Sequence, residues 1–476
     1  MKNFNTLFFI LIFSFGFSQQ VQWANKVLKF SSDLGGKQNG IKRILGKPDA
    51  FPQGGNSANA WTPKNALDGK EVVEVEFEKP QTVKQIAIFE NLNAGSVIKI
   101  MVNSGSGKYE TVWTRKKDWI TPTYKATFKS DRSYYFKRKR RKVEQTINVS
   151  FNPGIEYIVL DNAVSGVVSV KIEFNFALLP GQKQIDAIGI SDSEVPIVAQ
   201  INTRNYFESL AISEIIFTQD LQVNNPIVVE NGTKLLLSAT KDEKEIIYYL
   251  SKNSNGKWSN PLPENPALNT NNKYNYIESY NSNFILKNGL TYQRGTKDCG
   301  YEFLKNNNGN FESLGKLQIT AFSNYDDNSD ATITNDGKTL LLGIESDMTQ
   351  GGNDIYFTTK KEDGTYNFLE NAGKIINSAA DEGMPFLLSD TKTLLFCSNG
   401  FSSYGNHDIY VTQRLDDSWK KWSEPINLGS KINSSDFDGS PFYDESSETL
   451  YFITFENDAT VLKSILLPKN LLTNAK

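Results

Sequence analysis

Short apolar runs separated by Gly, Asn, Asp and Ser recur along most of the chain. The clearest unit reads Pro385-Phe386-Leu387-Leu388-Ser389, then Asp390-Thr391-Lys392, then Thr393-Leu394-Leu395-Phe396-Cys397-Ser398. It continues through Asp408-Ile409-Tyr410-Val411 to Trp422-Ser423-Glu424-Pro425-Ile426-Asn427-Leu428-Gly429. These are four strand-like segments divided by turn chemistry. Taking the first Leu of the second segment as an anchor, copies fall at Leu235, Leu290, Leu340, Leu394 and Leu450, with spacings of 55, 50, 54 and 56. Four strands at a period near fifty predict a β-propeller over residues 211–470. It has five blades, or six if a degenerate unit lies between residues 260 and 330. Turns such as Asn231-Gly232 and Asn335-Asp336-Gly337 precede the anchors and supply the positive φ of a tight hairpin.

The last copy has only three strands. An unclaimed apolar run, Glu214-Ile215-Ile216-Phe217-Thr218-Gln219, lies before the first copy and is expected to be the missing outer strand, because an open ring leaves unpaired edges. Upstream the period disappears. Runs at 72–77, 83–89, 97–102, 109–114, 146–151, 155–160, 168–174 and 185–190 alternate in polarity and predict a jelly-roll β-sandwich over residues 20–195. A polar connector at 196–210 separates the halves. The fold class is therefore all-β, a sandwich followed by a propeller.

The first 18 residues carry Lys2, an apolar core from Leu7 to Phe13, and small residues at Gly16 and Ser18, which reads as a secretory signal peptide. No Cys follows it, so a lipid anchor is not expected, and no later stretch approaches the roughly 20 apolar residues of a membrane helix. The expected location is exported, in the periplasm or at the outer membrane or cell surface, with at most peripheral membrane contact. A net charge of −3 over 476 residues does not point to nucleic acid. Cys299 and Cys397, 98 residues apart, read as small core residues rather than a disulfide framework.

Candidate chemistry is sparse. Lys137-Arg138-Lys139-Arg140-Arg141-Lys142 is the densest charge run, either a solvated segment or a patch for phosphates or acidic sugars. Twelve residues before the anchors stand Glu278, Asn328, Glu382 and Asp438, ahead of innermost strands that line a propeller channel. They are turn caps, or a channel-mouth ring for a cation, an amine-bearing peptide or a sugar. Asp354-Ile355-Tyr356 and Asp408-Ile409-Tyr410 are structural repeat residues, with the Asp capping a hairpin and the Ile and Tyr packing on opposite strand faces. The single His407 lies in a repeat hairpin, and no Gly-x-Ser-x-Gly elbow or zinc motif is present, so no catalytic residue, metal site or cofactor is expected.

Asn353-Asp354-Ile355-Tyr356, His407-Asp408-Ile409-Tyr410, the Asp336-Gly337-Lys338-Thr339-Leu340 turn and the Trp422-Ser423-Glu424-Pro425 run resemble the WD-like Asp-Ile-Tyr propeller repeats of exported proteins of Bacteroidetes-type bacteria, related to the propeller of TolB. Trp23-Ala24-Asn25-Lys26-Val27-Leu28 resembles the start of a sandwich domain found in some of them. Ala66-Leu67-Asp68-Gly69 and Ile185-Asp186-Ala187-Ile188-Gly189-Ile190 resemble a galactose-binding-like, discoidin-type sandwich. Many such relatives continue into a peptidoglycan-binding domain like that of outer-membrane protein A; none follows Pro468 here, so peptidoglycan is not implied. The expected function is a non-catalytic envelope protein binding a protein or glycan partner. The alternative is a glycan-active hydrolase with channel carboxylates and a carbohydrate-binding accessory sandwich.

Overall fold

The computed structural model describes residues 19–121, 124, 152–211, 214–218, 222–241, 244–271, 274–289, 297–326, 329–456 and 459–474. The signal-peptide segment 1–18, the 146–151 run, Lys137 to Lys142 and Asn328 lie outside the described residues.

The amino-terminal half is one seven-stranded sheet built from β1 (Val21–Trp23), β2 (Lys26–Phe30), β3 (Lys70–Glu90), β4 (Val97–Asn103), β5 (Glu110–Thr114), β6 (Gly154–Asn175) and β7 (Ala187–Ser191). The order is β1-β7-β3-β6-β4-β5, with β2 added to β3. The runs at 72–77 and 83–89 are not separate strands. They are two ends of β3, which pairs antiparallel with β6 along its length, and 155–160 and 168–174 are likewise both β6. The polar Glu78-Lys79-Pro80 stretch breaks the apolar alternation and mimics a turn. In fact the register shifts there, between Glu76 and Val83, and the strand continues through the bulge, where Pro80 is tolerated. Val73, Val75, Ile86, Ile88, Ile158, Val170 and Ile172, from both ends of these long strands, share one core.

The carboxy-terminal half is a five-bladed propeller. Ahead of it come the helical turn α1 (Asn205–Glu208) and strand β8 (Glu214–Thr218). Blade 1 is β9 (Gln222–Val229), β10 (Lys234–Lys241), β11 (Lys244–Ser251) and β12 (Leu262–Pro263). Blade 2 is β13 (Tyr276–Tyr280), β14 (Ile285–Asn288), β15 (Tyr301–Asn307) and β16 (Asn310–Lys316). Blade 3 is β17 (Asp330–Ile333), β18 (Thr339–Ile344), β19 (Asp354–Thr359) and β20 (Glu370–Asn371). Blade 4 is β21 (Glu382–Leu387), β22 (Thr393–Ser398), β23 (Asp408–Gln413) and β24 (Ile426–Asn427). Blade 5 is β25 (Asp438–Asp444), β26 (Thr449–Glu456) and β27 (Ala459–Leu466), completed by β8. The early strand thus closes the ring against the last, with Thr218 opposite Val461 and Phe217 opposite Leu462.

One anchor shifts. In blade 2 Leu290 lies outside the described residues, and Ile285 pairs with Tyr280 and Leu304 as Leu340 pairs with Ile333 and Thr358, so Ile285 holds the anchor position.

The connector is stitched to blade 4. Asn427 N donates to Asn202 O at 2.8 Å and Thr203 Oγ1 to Asn427 O at 2.9 Å, which extends the outer edge of the blade. Phe207 is buried among Leu395, Ile409, Leu428 and Leu450. The chain ends its described course in α2 (Lys469–Thr473), whose Leu472 carbonyl accepts from Gln413 Nε2 at 2.9 Å.

Candidate functional site: the central cavity

The innermost strands β9, β13, β17, β21 and β25 surround the axis. Four of them carry a β-bulge facing it: at Asn225-Pro226, Glu278, Met384-Pro385 and Ser440-Pro441. Asn225, Met384 and Ser440 have φ of 48°, 51° and 47°, and each precedes a proline, which has no N–H for the ladder to lose. The bulges leave a half-open cavity of about 40 Å³ lined by Asn225, Glu278, Asp330, Met384, Phe386, Phe442 and the three prolines, among others. Its walls differ. Glu278 and Asp330 come from the adjoining blades 2 and 3, while Phe386 and Phe442, packed edge to face at 5.1 Å, come from blades 4 and 5.

Glu278 is held from both oxygens. Asn288 Nδ2 donates to Oε1 at 2.7 Å; Asn225 Nδ2 at 3.3 Å and Ala331 N at 3.4 Å donate to Oε2. Asn288 is itself buried and also donates to Ser329 O at 2.8 Å. Behind this wall Tyr301 is fully buried. Burial, with added repulsion from Glu278 and Asp330, pushes its phenol well above its ordinary value.

Of the four residues expected at a channel mouth, Glu278 lines the cavity and Asn328 lies outside the described residues. Glu382 and Asp438 open β21 and β25 and are fully buried among loop atoms instead. Glu382 accepts from Ser378 N and Oγ, both at 2.7 Å, and from Ser398 Oγ at 2.6 Å; burial pushes its carboxyl up to about 8. Asp438 accepts from Ser434 N at 2.5 Å, and burial pushes it up to about 6. A fixed offset of twelve picks equivalent residues only in strands that share a bulge. In unbulged β17 Asp330 stands opposite Gly343, ten residues before Leu340, on the rung that Gly383 and Gly439 fill in β21 and β25, so counting back twelve passed over the second cavity carboxylate.

The repeat residues serve the loops. Asp354 accepts from Gln350 N at 2.6 Å, Gly351 N at 3.3 Å and Asn371 Nδ2 at 2.6 Å. Asp408 accepts from Tyr404 N at 2.7 Å, Gly405 N at 2.9 Å and Asn427 Nδ2 at 2.6 Å. Burial pushes the first up to about 6 and the second up to about 7, the latter helped by Asp438. Ile355 and Ile409 are core residues, Tyr356 shares a 2.9 Å hydrogen bond with Thr349 Oγ1, and Tyr410 donates to Ser402 O at 3.1 Å. His407 packs on Phe437 with ring centroids 5.5 Å apart, and burial lowers its imidazole. Cys299 and Cys397 are buried free thiols. Among the described residues no three His, Cys, Asp or Glu side chains converge as metal ligands.

No protein-family model matches the chain, and no curated protein matches it by sequence. Solved structures do. The endo-arabinase of Bacteroides thetaiotaomicron is 16% identical over 54% of this chain and 98% of its own, with a TM-score of 0.36. The α-L-arabinofuranosidase of Lactobacillus brevis is 11% identical over 51% of this chain and 90% of its own, with a TM-score of 0.34. TolB of Acinetobacter baumannii is 13% identical over 52% of this chain and 55% of its own, with a TM-score of 0.27. The likeness is one of fold: the chain carries a five-bladed β-propeller.

Two expectations are corrected at this point. A non-catalytic binding protein and a chain that is not an enzyme were expected, yet the propellers it resembles are mostly named as arabinofuranosidases or an arabinase. The expectation rested on the lack of a His-based triad, and hydrolysis by paired carboxylates needs no histidine.

Proposed function

We propose that this protein is a glycan-active hydrolase of the cell envelope, with Glu278 and Asp330 as its reacting carboxylates and the amino-terminal sheet as its carbohydrate-binding accessory. The observation that carries the reading is the placement of these two acids, from neighbouring blades, on one wall of the central cavity. Glycoside hydrolysis asks for two carboxyl groups of different role flanking the scissile bond. Glu278, fixed by donors on both oxygens, suits the group that acts as a carboxylate, nucleophile or base; Asp330 is then the acid. A cavity of about 40 Å³ holds water and the reacting end of a sugar rather than a whole chain, so the polymer lies across its mouth. The opposite wall of proline and phenylalanine packs against the C–H face of a sugar ring. The arabinofuranosidases and endo-arabinase of similar fold are named for the same class of chemistry, while the acid pair carries the reading.

The test uses the purified chain with arabinan, arabinoxylan and envelope polysaccharides, following released sugars by chromatography. The wild type releases sugar, and Glu278→Gln and Asp330→Asn each lower the rate by roughly 10²-fold or more. No release from any polymer, or undiminished rates in both variants, overturns the reading.

A further inference from the structure

The amino-terminal sheet rests on the loops of blades 3 and 4 through polar groups. Asn59, almost fully buried, donates from Nδ2 to Gly400 O at 2.6 Å and accepts from Ala379 N at 2.8 Å. Gln53 Nε2 donates to Ser403 Oγ at 2.9 Å and to Gly405 O, and Lys37 Nζ donates to Thr349 O. Arg43 organises this set from behind. Its guanidinium donates to Lys37 O at 2.7 and 3.0 Å and to Asn59 Oδ1 at 3.3 Å, which fixes two of the three contact residues. The receiving hairpin is shaped to match: a Cβ on Gly400 would lie 1.8 Å from Ser378 Oγ and 3.0 Å from Asn59 Nδ2.

What is missing from the seat matters as much. Among the described residues, no apolar cluster mixes side chains of the sheet with side chains of the propeller; each core belongs to one half. A hydrogen bond lost on separation is exchanged for one to water, whereas an apolar seat would expose surface that water disfavours. The connector is built for such a separation. Ile197 is buried against the sheet, and its N–H donates to Gln85 Oε1 at 3.0 Å, while Asn202 and Thr203 are paired with blade 4. Ala199 also packs on the sheet, so only residues 200 and 201 lie between the two attachments.

We infer that the amino-terminal sheet is a reversible cover, hydrogen-bonded over the loops of blades 3 and 4 and hinged at residues 200–201. The covered loop at 379–381 runs directly into β21, whose Met384, Pro385 and Phe386 form one wall of the cavity. Under the hydrolase reading, on which this consequence rests, movement of the cover regulates how a bulky glycan reaches that wall.

Hydrogen–deuterium exchange on the full chain tests the cover without relying on activity. In Asn59→Ala with Gln53→Ala, amides at 379–381 and 399–406 should exchange at least tenfold faster, and the radius of gyration by X-ray scattering should rise. The melting temperature should stay within a few degrees of wild type, because no apolar core is cut. Unchanged exchange overturns the cover. So does collapse of the whole fold in both the double variant and Asn59→Ala alone, which would mean one inseparable body. Sugar release by the same variants is a separate readout. If neither they nor the wild type hydrolyse any polymer, the enzymatic reading falls while the exchange result still decides the cover.

Discussion

The Tyr404 phenol donates a 2.6 Å hydrogen bond to Glu208, tying the hairpin that enters β23 to the connector helix. Ser430 adds its N–H at 3.0 Å and its hydroxyl at 2.5 Å to the same carboxylate. Beside it Phe207 fills the core between blades 4 and 5. The connector is therefore part of the propeller's packing. Phe207→Ala should cost about 3–5 kcal/mol, the range for emptying a buried aromatic site. A urea unfolding curve with a clearly lower midpoint checks this, and an unshifted midpoint would show that the connector is a bystander.

The seam of the wheel gives a second test. Removing residues 214–218 leaves β27 without its outer partner. The deleted chain should lose its cooperative melting transition and associate through the bared edge. Calorimetry together with light scattering measures both, and a retained sharp transition with monodisperse scattering would make the closing strand dispensable.

Asp408 is expected to matter more than an ordinary surface cap. It is fully buried and satisfies two backbone N–H groups and the Asn427 amide. Asp408→Ala strands these donors inside the protein, at a cost of about 3 kcal/mol. Denaturant titration reads the loss directly, and a change under about 1 kcal/mol would mean that water takes over the role.

Stability should depend on pH in an unusual direction. Burial raises Glu382 to about 8, Asp408 and Glu90 to about 7, and Asp438 and Asp354 to about 6. Each binds its proton more tightly in the folded chain than unfolded, where carboxyls titrate near 4. Their contribution is complete below that unfolded value and is lost as pH climbs through 6 to 8. His407, lowered by burial, has the opposite sign and limits the gain on the acid side of its ordinary value. Melting temperature should therefore fall between pH 6 and pH 9. Glu382→Gln should flatten the upper part of that slope, and an identical slope in the variant would show that other groups set it.

The propeller was legible because its determinants are local. Each Asp-Ile-Tyr segment sits where two loop amides need a carboxylate, and each Leu-rich run is a second strand buried on both faces. The closing strand was legible for a related reason: a fifth blade with three strands demands a fourth. The long strands of the amino-terminal sheet were not, because Glu78-Lys79-Pro80 carries turn chemistry while the ladder on either side keeps the chain extended. The cavity was half legible. Glu278 falls on the counting rule only because the anchor in blade 2 had slipped to Leu290, and Asp330 escapes it because it occupies the rung that carries Gly383 and Gly439 in blades 4 and 5. A bulge changes which side chain faces the axis without changing the hydrophobic pattern, so no periodicity reports it.

Thr218 faces Val461, which means that the first segment of the wheel to leave the ribosome must wait for nearly the last. Until β27 has emerged, four finished blades and a partial fifth form an arc with a loose end, and joining the two ends carries the slow search that distant pairings impose. Any ribosome stall or early stop before residue 459 would thus yield a species that holds most of its interior yet never becomes a ring.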